Sequence, residues 1–549
     1  MPELIIAVAG LLAVATTTAV APRLRVAAPL LLVVLGIVLS FLPAVPVVDV
    51  DPEWIIAGVL PPLLYSASVS MPTMNFRREL GAISGLSVVL VVVSAVVLGF
   101  FFSWVIPGLS LWWGIALGAI VSPTDAVATS IVKRVGVTGR VVSVLDGESL
   151  LNDATALVLL RTAIAGTAAS VSLGGVLGSF AYSVAVAVVL GSVVGVVNLR
   201  VRSRVKDPTV NTVLSFTIPF LASIPAELLG ASGLVAAVVA GLVTGHGAPR
   251  HLPPQHRVAE TQNWHSVELV LEGAIFLLMG LELDGIVQDV RTEHSGVGTA
   301  VAVAAGALLL TILVRAAYVA PLLLGLHRRA RRKERYRPHL DLMQQRLDDE
   351  PEVFSHRGPG RPEQRVERFR TRLRRTVADI DYLLAAPLGW REGGVLVWAG
   401  MRGAVTLAAA QTLPEDTPHR SLFVLVAFGV AAGSLLLQGS TLAAFVRWIH
   451  PAPPDEQALH EEREEIDLLL AQVREEVTSG PASTPAAADG SGPRALELAV
   501  ISAQRTAVLD ARDDGTYSAA SLSAALIYLD AAQIGLELRK TLAAEDAEE

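Results

Sequence analysis

The sequence has no cysteine and little charge. Its 549 residues include no Cys, and only 17% are Asp, Glu, Lys or Arg. The absence of Cys excludes a disulfide framework, a thiolate nucleophile and a Cys-ligated metal site. A soluble protein carries about 25% charged residues, so the low charge content argues against a soluble protein.

The chain instead contains long apolar runs. It is 52% hydrophobic, with a mean hydropathy of +0.55. The runs are about 15 to 28 residues long, enough to cross a hydrocarbon core of about 30 Å. No basic segment precedes the first run, so we expect it to be an anchor and not a cleaved signal peptide. The net charge of −8 is divided between acidic and basic loops, which indicates no nucleic-acid-binding surface.

The runs predict an all-α polytopic membrane protein with about thirteen transmembrane helices. The predicted spans are Leu4–Ala21, Pro29–Leu42, Trp54–Val69, Leu80–Val105, Trp112–Val132, Ser143–Ala165, Leu173–Leu199, Thr209–Leu229, Gly233–Thr244, Trp264–Leu283, Val297–Leu326, Gly393–Leu413 and Ser421–Trp448.

Polar segments divide the chain into four parts. We expect residues 1–326 to hold spans one to eleven, and residues 391–450 to hold spans twelve and thirteen. The Arg-rich residues 327–390 between them form a predicted cytoplasmic insertion. Residues 451–549 form a predicted cytoplasmic helical region, interrupted by a Ser/Pro/Gly/Ala linker at 479–493.

Loop charges alternate in sign along the chain. Basic residues follow the odd-numbered spans, and acidic residues follow the even-numbered ones. Examples are Arg23, Arg77, Lys133, Arg200 and Arg250 for the basic loops, and Asp51, Asp284 and Glu415 for the acidic loops. By the positive-inside rule, this pattern predicts an N-terminus outside the cell and a C-terminus in the cytoplasm.

Two predicted spans contain residues that break a helix. The fifth is interrupted at Ser122–Asp125 (Ser-Pro-Thr-Asp) and the twelfth at Gly400–Gly403 (Gly-Met-Arg-Gly). About thirteen spans divide into two inverted six-helix repeats around a central helix, and the two breaks then correspond. The sequence therefore predicts two discontinuous helices that cross near the midplane. Because Pro123 removes a helical hydrogen bond, the backbone oxygen of Thr124 becomes available beside Asp125.

Carboxylates occur where a lipid-embedded segment should have none. Asp125 lies in the fifth span, and Ser149, Asn152 and Asp153 share one face of the sixth, with Glu148 one turn before Asn152. An ionised Asp near the bilayer centre costs about 2.5–3.5 kcal/mol, so such residues usually face the protein interior and carry function. Hydroxyl, amide and carboxylate oxygens are ligands that suit Na+, Li+ and protons. The sequence therefore predicts a membrane transporter with an acidic cation site.

These motifs resemble those of the monovalent cation:proton antiporters of the NhaP and NHE type. The segment Leu145–Ala154 is similar to one family signature, and Ser122–Ala128 is similar to the signature that precedes it. Further similar segments follow in the family's order over about residues 1–450. They are Leu60–Tyr65, Ser232–Leu242, Phe276–Glu282 and Met401–Ala404.

The resemblance implies a cation site. Asp153 would be the position where cation and proton compete, Ser149 and the backbone of Thr124 would be further ligands, and Asp125 would be a second carboxylate near the ion. The transported ions would be Na+ and H+, with Li+ or K+ as alternatives to Na+. No cofactor and no enzymatic activity are expected.

The resemblance also implies four residues that organise the site. Asn152 would position the two broken helices. Glu148 would pair with Arg315, the only basic residue inside the eleventh apolar run. Arg402 would offset the partial negative charge of a half-helix end.

At the level of the whole protein, the resemblance implies an antiporter driven by an ion gradient and working by alternating access. Asn152 stands where a related branch has the first of two adjacent aspartates, which favours electroneutral exchange. We further expect a homodimer in the cell membrane and a role in pH and sodium homeostasis.

Several alternatives remain open from the sequence alone. Glu148 could be structural, and Asp125 could contact the ion or fix the broken helix. The Ser149 hydroxyl could bond only a carbonyl of its own helix. Glu268 and Glu272, one turn apart, could line an entrance funnel or be solvated interface residues. A cation channel and an intramembrane hydrolase are alternative functions, but neither a filter-like loop nor a hydrolase signature is visible.

Overall fold

The computed structural model describes residues 2–24, 26–42, 51–168, 173–292, 296–349, 362–453, 455–479 and 492–548. Within these ranges every regular element is a helix, which confirms the predicted all-α class. Residues 350–361 of the predicted insertion and most of the predicted linker lie outside the described residues.

The helices overlap the predicted spans, but the helix that starts at Pro254 begins ten residues before its predicted span, and the helix that ends at Asp349 continues 23 residues beyond its own, into the predicted insertion. In chain order they begin with α1 (Pro2–Leu24), α2 (Ala28–Ser40), α3 (Leu60–Ser70), α4 (Thr73–Ser84), α5 (Val91–Val105), α6 (Leu111–Ile120), α7 (Val127–Val135), α8 (Gly139–Ala168), α9 (Leu173–Arg202), α10 (Pro208–Leu228) and α11 (Gly233–His251). They continue with α12 (Pro254–Leu281), α13 (Leu283–Thr292), α14 (Val297–Asp349), α15 (Pro362–Ala385), α16 (Trp390–Trp398), α17 (Ala404–Gln411), α18 (Arg420–Ile449), α19 (Glu456–Ser479), α20 (Gly492–Asp514) and α21 (Ala519–Glu548). Two π-helical segments, Trp54–Val59 and Gly85–Leu90, lead into α3 and α5.

Local sequence signals explain several helix ends. The Asp207 carboxylate accepts hydrogen bonds from the backbone N–H groups of Thr209 and Val210, and so caps α10. The Ser232 hydroxyl caps α11 by accepting from the N–H of Val235. These caps satisfy donors that have no partner within the helix.

Length and apolarity alone do not identify every predicted span. Among the described residues, seven helices are long and apolar enough to cross a membrane. The pair α6–α7 and the pair α16–α17 are too short because each predicted span is broken in the middle. One of the seven, Ala519–Arg539, lies in the region that the sequence analysis assigns to the cytoplasm. The count of about thirteen spans stays a prediction.

That apolar C-terminal helix packs against its neighbours in the chain. Helices α19, α20 and α21 enclose a small apolar cluster that includes Ile466, Val508, Leu522 and Leu529. Its apolarity is therefore accounted for by packing within the C-terminal region.

The C-terminal region is also joined to the membrane helices by ion pairs. Arg250 at the end of α11 lies 2.9 Å from Asp510 of α20, and Arg257 at the start of α12 pairs with Asp530 of α21. Helix α15 is joined in the same way, since its Asp379 forms an ion pair with Arg78 of α4 at 2.7 Å. The three arginines lie in segments between predicted spans that the charge pattern predicts to be cytoplasmic.

The membrane helices pack in two apolar clusters. The first, which we call the crossing cluster, surrounds the broken helices and draws on α2, α5–α8, α12, α14 and α16–α18. The second, which we call the α9–α11 cluster, draws mainly on α3 and α9–α11. Helix α8 contributes to both, with Leu160 in the first and Leu150 and Ala154 in the second. The helix that carries Asp153 therefore lies between the two clusters.

Close helix contact depends on small residues, because lipid is as apolar as leucine and burial alone gives little drive for association. Helices α2 and α12 meet at Gly36 and Gly280. A Cβ on Gly36 would lie 2.8 Å from the Cα of Gly280 and would clash with the carbonyl oxygen of Leu277. Only glycine allows the two backbones to approach this closely.

We therefore expect Gly36→Ala to destabilise the protein by about 1–3 kcal/mol, the usual cost of overpacking. The measurement is the thermal midpoint of the purified protein in detergent. Gly325→Ala is the matched control, because a Cβ at Gly325 in α14 meets nothing within 4 Å. Equal midpoints for the two variants would show that the helix contact tolerates a methyl group.

Candidate cation-binding site

Two broken helices meet at the centre of the crossing cluster. The break between α6 and α7 contacts the break between α16 and α17, since the backbone N–H of Asp125 donates to the carbonyl oxygen of Met401 at 2.8 Å. Gly403 lies directly against the Asp125 carboxylate, where any Cβ would clash. Pro123 in one break and the glycines of the other explain why both helices stop here. The predicted pair of discontinuous helices is thus present in the fold.

Arg402 lies at the ends of both N-terminal half-helices. Its side chain is 2% exposed. The guanidinium donates to the carbonyl oxygen of Val121, which follows α6, at 3.0 Å, and to that of Gly400, which follows α16. The carbonyl ends of helices carry partial negative charge, so the buried cation stabilises both ends. The role that the resemblance implies for Arg402 stays a prediction.

Asp125 both caps a helix and lines a cavity. Its Oδ1 accepts a hydrogen bond from the N–H of Val127 at 3.0 Å, which caps the start of α7. Its side chain also lines the central cavity described below. The two alternatives left open by the sequence, contact with the ion and fixing of the broken helix, are therefore compatible.

A chain of buried side chains connects the first break to α8. The Asn152 amide donates to the carbonyl oxygen of Thr124 at 2.9 Å and to its hydroxyl at 2.7 Å. The Thr124 hydroxyl in turn donates to Glu148 Oε1 at 2.9 Å. The Thr124 carbonyl keeps one lone pair for a further partner, because a carbonyl oxygen accepts two bonds. Asn152 Oδ1 has no hydrogen-bond partner in the described structure.

Glu148 forms a bidentate ion pair with Arg315 of α14. The two distances are 2.5 and 2.7 Å, and each side chain is 2% exposed. Arg315 Nε also donates to the carbonyl oxygen of Leu396 in α16 at 2.8 Å. The pair therefore connects α8, α14 and the second broken helix, and it lies behind the Thr124 hydroxyl as seen from the cavity.

A cavity of about 310 Å³ lies beside these residues. Its lining includes Leu60, Leu63 and Leu64 of α3 and a set of oxygen-bearing residues, which are Asp125, Asp153, Ser149, Thr124, Glu268 and Glu272. Asp153 is only 8% exposed. The Ser149 hydroxyl donates to the carbonyl oxygen of Asp146 at 3.0 Å and keeps its lone pairs for another partner.

The cavity extends toward one side of the membrane. Lys133 at the end of α7 and Asp146 near the start of α8 line it and lie 3.0 Å apart. Both residues are close to a loop that the charge pattern predicts to be cytoplasmic. Glu268 and Glu272 also line the cavity. That they form an entrance funnel stays a prediction. Sequence alone did not show which way α12 is turned, although the spacing of the two acids was visible.

Among the described residues, no group of three or more His, Asp or Glu side chains has the geometry of a metal-ion site. The cavity carboxylates come from the first helix break, from α8 and from α12, and the lining also includes the hydroxyl residues Thr124 and Ser149. Such a set can take up a monovalent cation or a proton without the geometry of a resident metal centre.

Comparison with known proteins agrees with this chemistry. The sequence profile described as "Sodium/hydrogen exchanger, transmembrane" matches residues 10–347. The chain belongs to the sodium/hydrogen exchanger family. It is 30% identical over 459 residues to an uncharacterised Na+/H+ exchanger of Mycobacterium bovis, with 81% of this chain and 74% of that protein covered. It is 26% identical over 452 residues to the low-affinity Na+/H+ antiporter NhaS1 of Synechocystis, with 80% and 73% covered.

A solved structure shows the same fold. The sodium proton antiporter MjNhaP1 from Methanocaldococcus jannaschii superimposes with a TM-score of 0.57 at 18% identity, covering 81% of this chain and 99% of that one. The family predicted from the motifs is therefore confirmed. Membership in the exchanger family favours a transporter over the cation channel and the intramembrane hydrolase considered from the sequence.

We expect Glu148→Gln to destabilise the protein strongly. The substitution leaves the Arg315 charge buried without a counterion, and breaking one side of a buried pair costs about 3–5 kcal/mol. The measurement is the thermal midpoint in detergent. Lys133→Gln is the control, since the Lys133–Asp146 pair is partly exposed, with side chains 55% and 27% accessible. A Glu148→Gln midpoint as high as that of the control would contradict the structural importance of the pair.

Proposed function

We propose that the protein is a secondary antiporter that exchanges protons for Na+ across the cell membrane. The observation that carries the proposal is that Asp125, in the break between α6 and α7, and Asp153 of α8 line one cavity at the crossing of two broken helices. This arrangement supports a single site that a small cation and a proton occupy in turn.

The physical basis of exchange is competition for this site. Asp153 and Asp125, with the Ser149 hydroxyl and a Thr124 oxygen, offer the ligands of a hard monovalent cation. Holding a cation and a proton together would place excess positive charge in a low-dielectric cavity, where charges interact strongly. Binding of one therefore releases the other.

Alternating access would come from movement of the two apolar clusters against each other. The cavity lies between them, because Leu60 and Leu64 belong to the α9–α11 cluster while the broken helices belong to the crossing cluster. When one cluster moves against the other, a site at their boundary can open to the other side of the membrane while its ligands stay together.

The proposal extends to the organisation of the whole protein. We infer an N-terminus outside, a C-terminal region in the cytoplasm and a homodimer in the cell membrane. The charge alternation of the loops supports the orientation. Asn152 beside Asp153 supports electroneutral exchange, since the pair carries one carboxylate and not two. A role in pH and sodium homeostasis follows from such an exchange.

Asp153→Asn and Asp125→Asn should each abolish Na+-dependent proton movement in inverted vesicles carrying a pH-sensitive dye. An amide neither releases a proton nor supplies the negative charge that the cation needs. Size-exclusion chromatography of the purified variants checks that they remain folded. Asp284→Asn, the same change in α13 and away from the cavity, should leave exchange intact. Robust exchange by Asp153→Asn would refute the proposal.

Glu272→Gln should raise the half-saturating Na+ concentration from the cytoplasmic side by about threefold to tenfold, with a smaller change in maximal rate. Glu272 lines the cavity beside Asp125 and would concentrate cations near the site. The measurement is exchange in vesicles over a Na+ series, repeated at high ionic strength, where the difference should shrink. An unchanged half-saturating concentration would show that Glu272 has no part in cation entry.

A further inference from the structure

A second cavity lies beyond Asp153 on the opposite side from the first. It has a volume of about 280 Å³, and its lining includes Leu157, Arg161, Thr162, Glu227 and Leu234. The residues at 153, 157 and 161 repeat at four-residue spacing on α8, so they lie on one face in successive turns. The second cavity therefore begins about one turn beyond Asp153, about 6 Å along the helix axis.

A layer of apolar side chains separates the two cavities. Leu64 and Leu150 line the first cavity and Leu234 lines the second, and all three belong to the α9–α11 cluster. Leu157 packs against the same cluster. An ion at Asp153 reaches the second cavity only if this layer parts. For that to happen, α8 must move relative to α10 and α11.

One ion pair spans the boundary that must move. Arg161 of α8 and Glu227 near the end of α10 have Nη2 and Oε1 3.7 Å apart. Glu227 also packs on Gly233, the first residue of α11, where a Cβ would lie 2.8 Å from Glu227 Cγ. The side chains of Arg161 and Glu227 are 62% and 36% exposed, respectively. This exposure locates the pair at the mouth of the cavity and not in the apolar layer.

We propose that Arg161 and Glu227 form the gate of the second cavity: the pair is closed while Asp153 faces the first cavity and opens when Asp153 faces the second. This inference rests on the proposed antiport. While the pair is closed, the Arg161 guanidinium neutralises the Glu227 carboxylate, so the mouth offers no net negative charge to a cation. When the pair opens, the Glu227 carboxylate faces the mouth without its counterion and favours the approach of a cation. The gate thus couples access from this side to the position of α8.

An exposed pair of this kind adds little to folding stability. We therefore expect the pair to change the equilibrium between the two orientations of the site, and not the stability of the fold. Arg161→Gln removes the closed pair and leaves the Glu227 carboxylate at the mouth, so it should lower the half-saturating Na+ concentration on the second-cavity side by about twofold to fivefold, the range of an exposed ion pair. The concentration on the other side should rise, and the thermal midpoint should stay unchanged. Equal changes on both sides of oriented proteoliposomes would overturn the gate.

A covalent lock gives the decisive test, because the chain has no native Cys. The variant Arg161→Cys/Glu227→Cys is reconstituted in proteoliposomes and treated with a flexible bifunctional thiosulfonate. Cross-linking should stop Na+/H+ exchange, and a reductant should restore it. Exchange by the reduced variant shows that the antiport itself is intact. Continued exchange after complete cross-linking would overturn the gate alone.

A matched pair of cysteines controls for cross-linking as such. Tyr182 of α9 donates to the carbonyl oxygen of Leu229 at 3.1 Å, beside the same mouth. Leu229 directly follows α10, and both α9 and α10 belong to the α9–α11 cluster, so Tyr182→Cys/Leu229→Cys joins two elements of one body. Cross-linking this pair should leave exchange unchanged. Inhibition equal to that of the gate pair would count against the proposal.

Discussion

Every backbone group that is freed where a helix breaks inside a membrane must find a partner within the protein, because lipid offers none. The two broken helices satisfy this requirement largely through each other and through α8. Asp125 donates its N–H to Met401, Thr124 accepts from Asn152, and Arg402 bonds carbonyl groups after both half-helices. The breaks are thus mutually dependent, and neither would be stable alone.

The same requirement explains why buried charge is tolerated here. Arg315 contacts Glu148 and a carbonyl of α16, so its charge is fully paired. Among the described residues, no basic side chain forms an ion pair with Asp153 on the cavity wall. A protein that neutralises its structural charges internally can reserve one acidic group for an ion that comes and goes. The structural carboxylate Glu148 and the proposed ion-binding carboxylate Asp153 are therefore only about one turn apart on α8.

Much of the architecture was predictable because bilayer thickness sets the length of apolar runs, and helix limits follow from it. Motif spacing identified Asp125, Asp153 and the two breaks for the same reason, since charges and prolines stand out in apolar sequence. Apolarity was less informative in the C-terminal region, where the Ala519–Arg539 stretch is apolar enough to span a membrane yet packs on α19 and α20. The mean hydropathy of a segment does not distinguish a helix that faces lipid from one that packs against a neighbouring helix.

Sequence by itself determined the helical class, the positions of the breaks and the residues with chemistry to offer, because these depend on local composition and on spacing along one helix. Only the tertiary structure decided which faces meet. It placed Glu268 and Glu272 on the cavity lining and set Arg161 against Glu227 across two apolar clusters. Such contacts depend on the rotation and depth of separate helices. Packing fixes these quantities, and no pattern within a single segment encodes them.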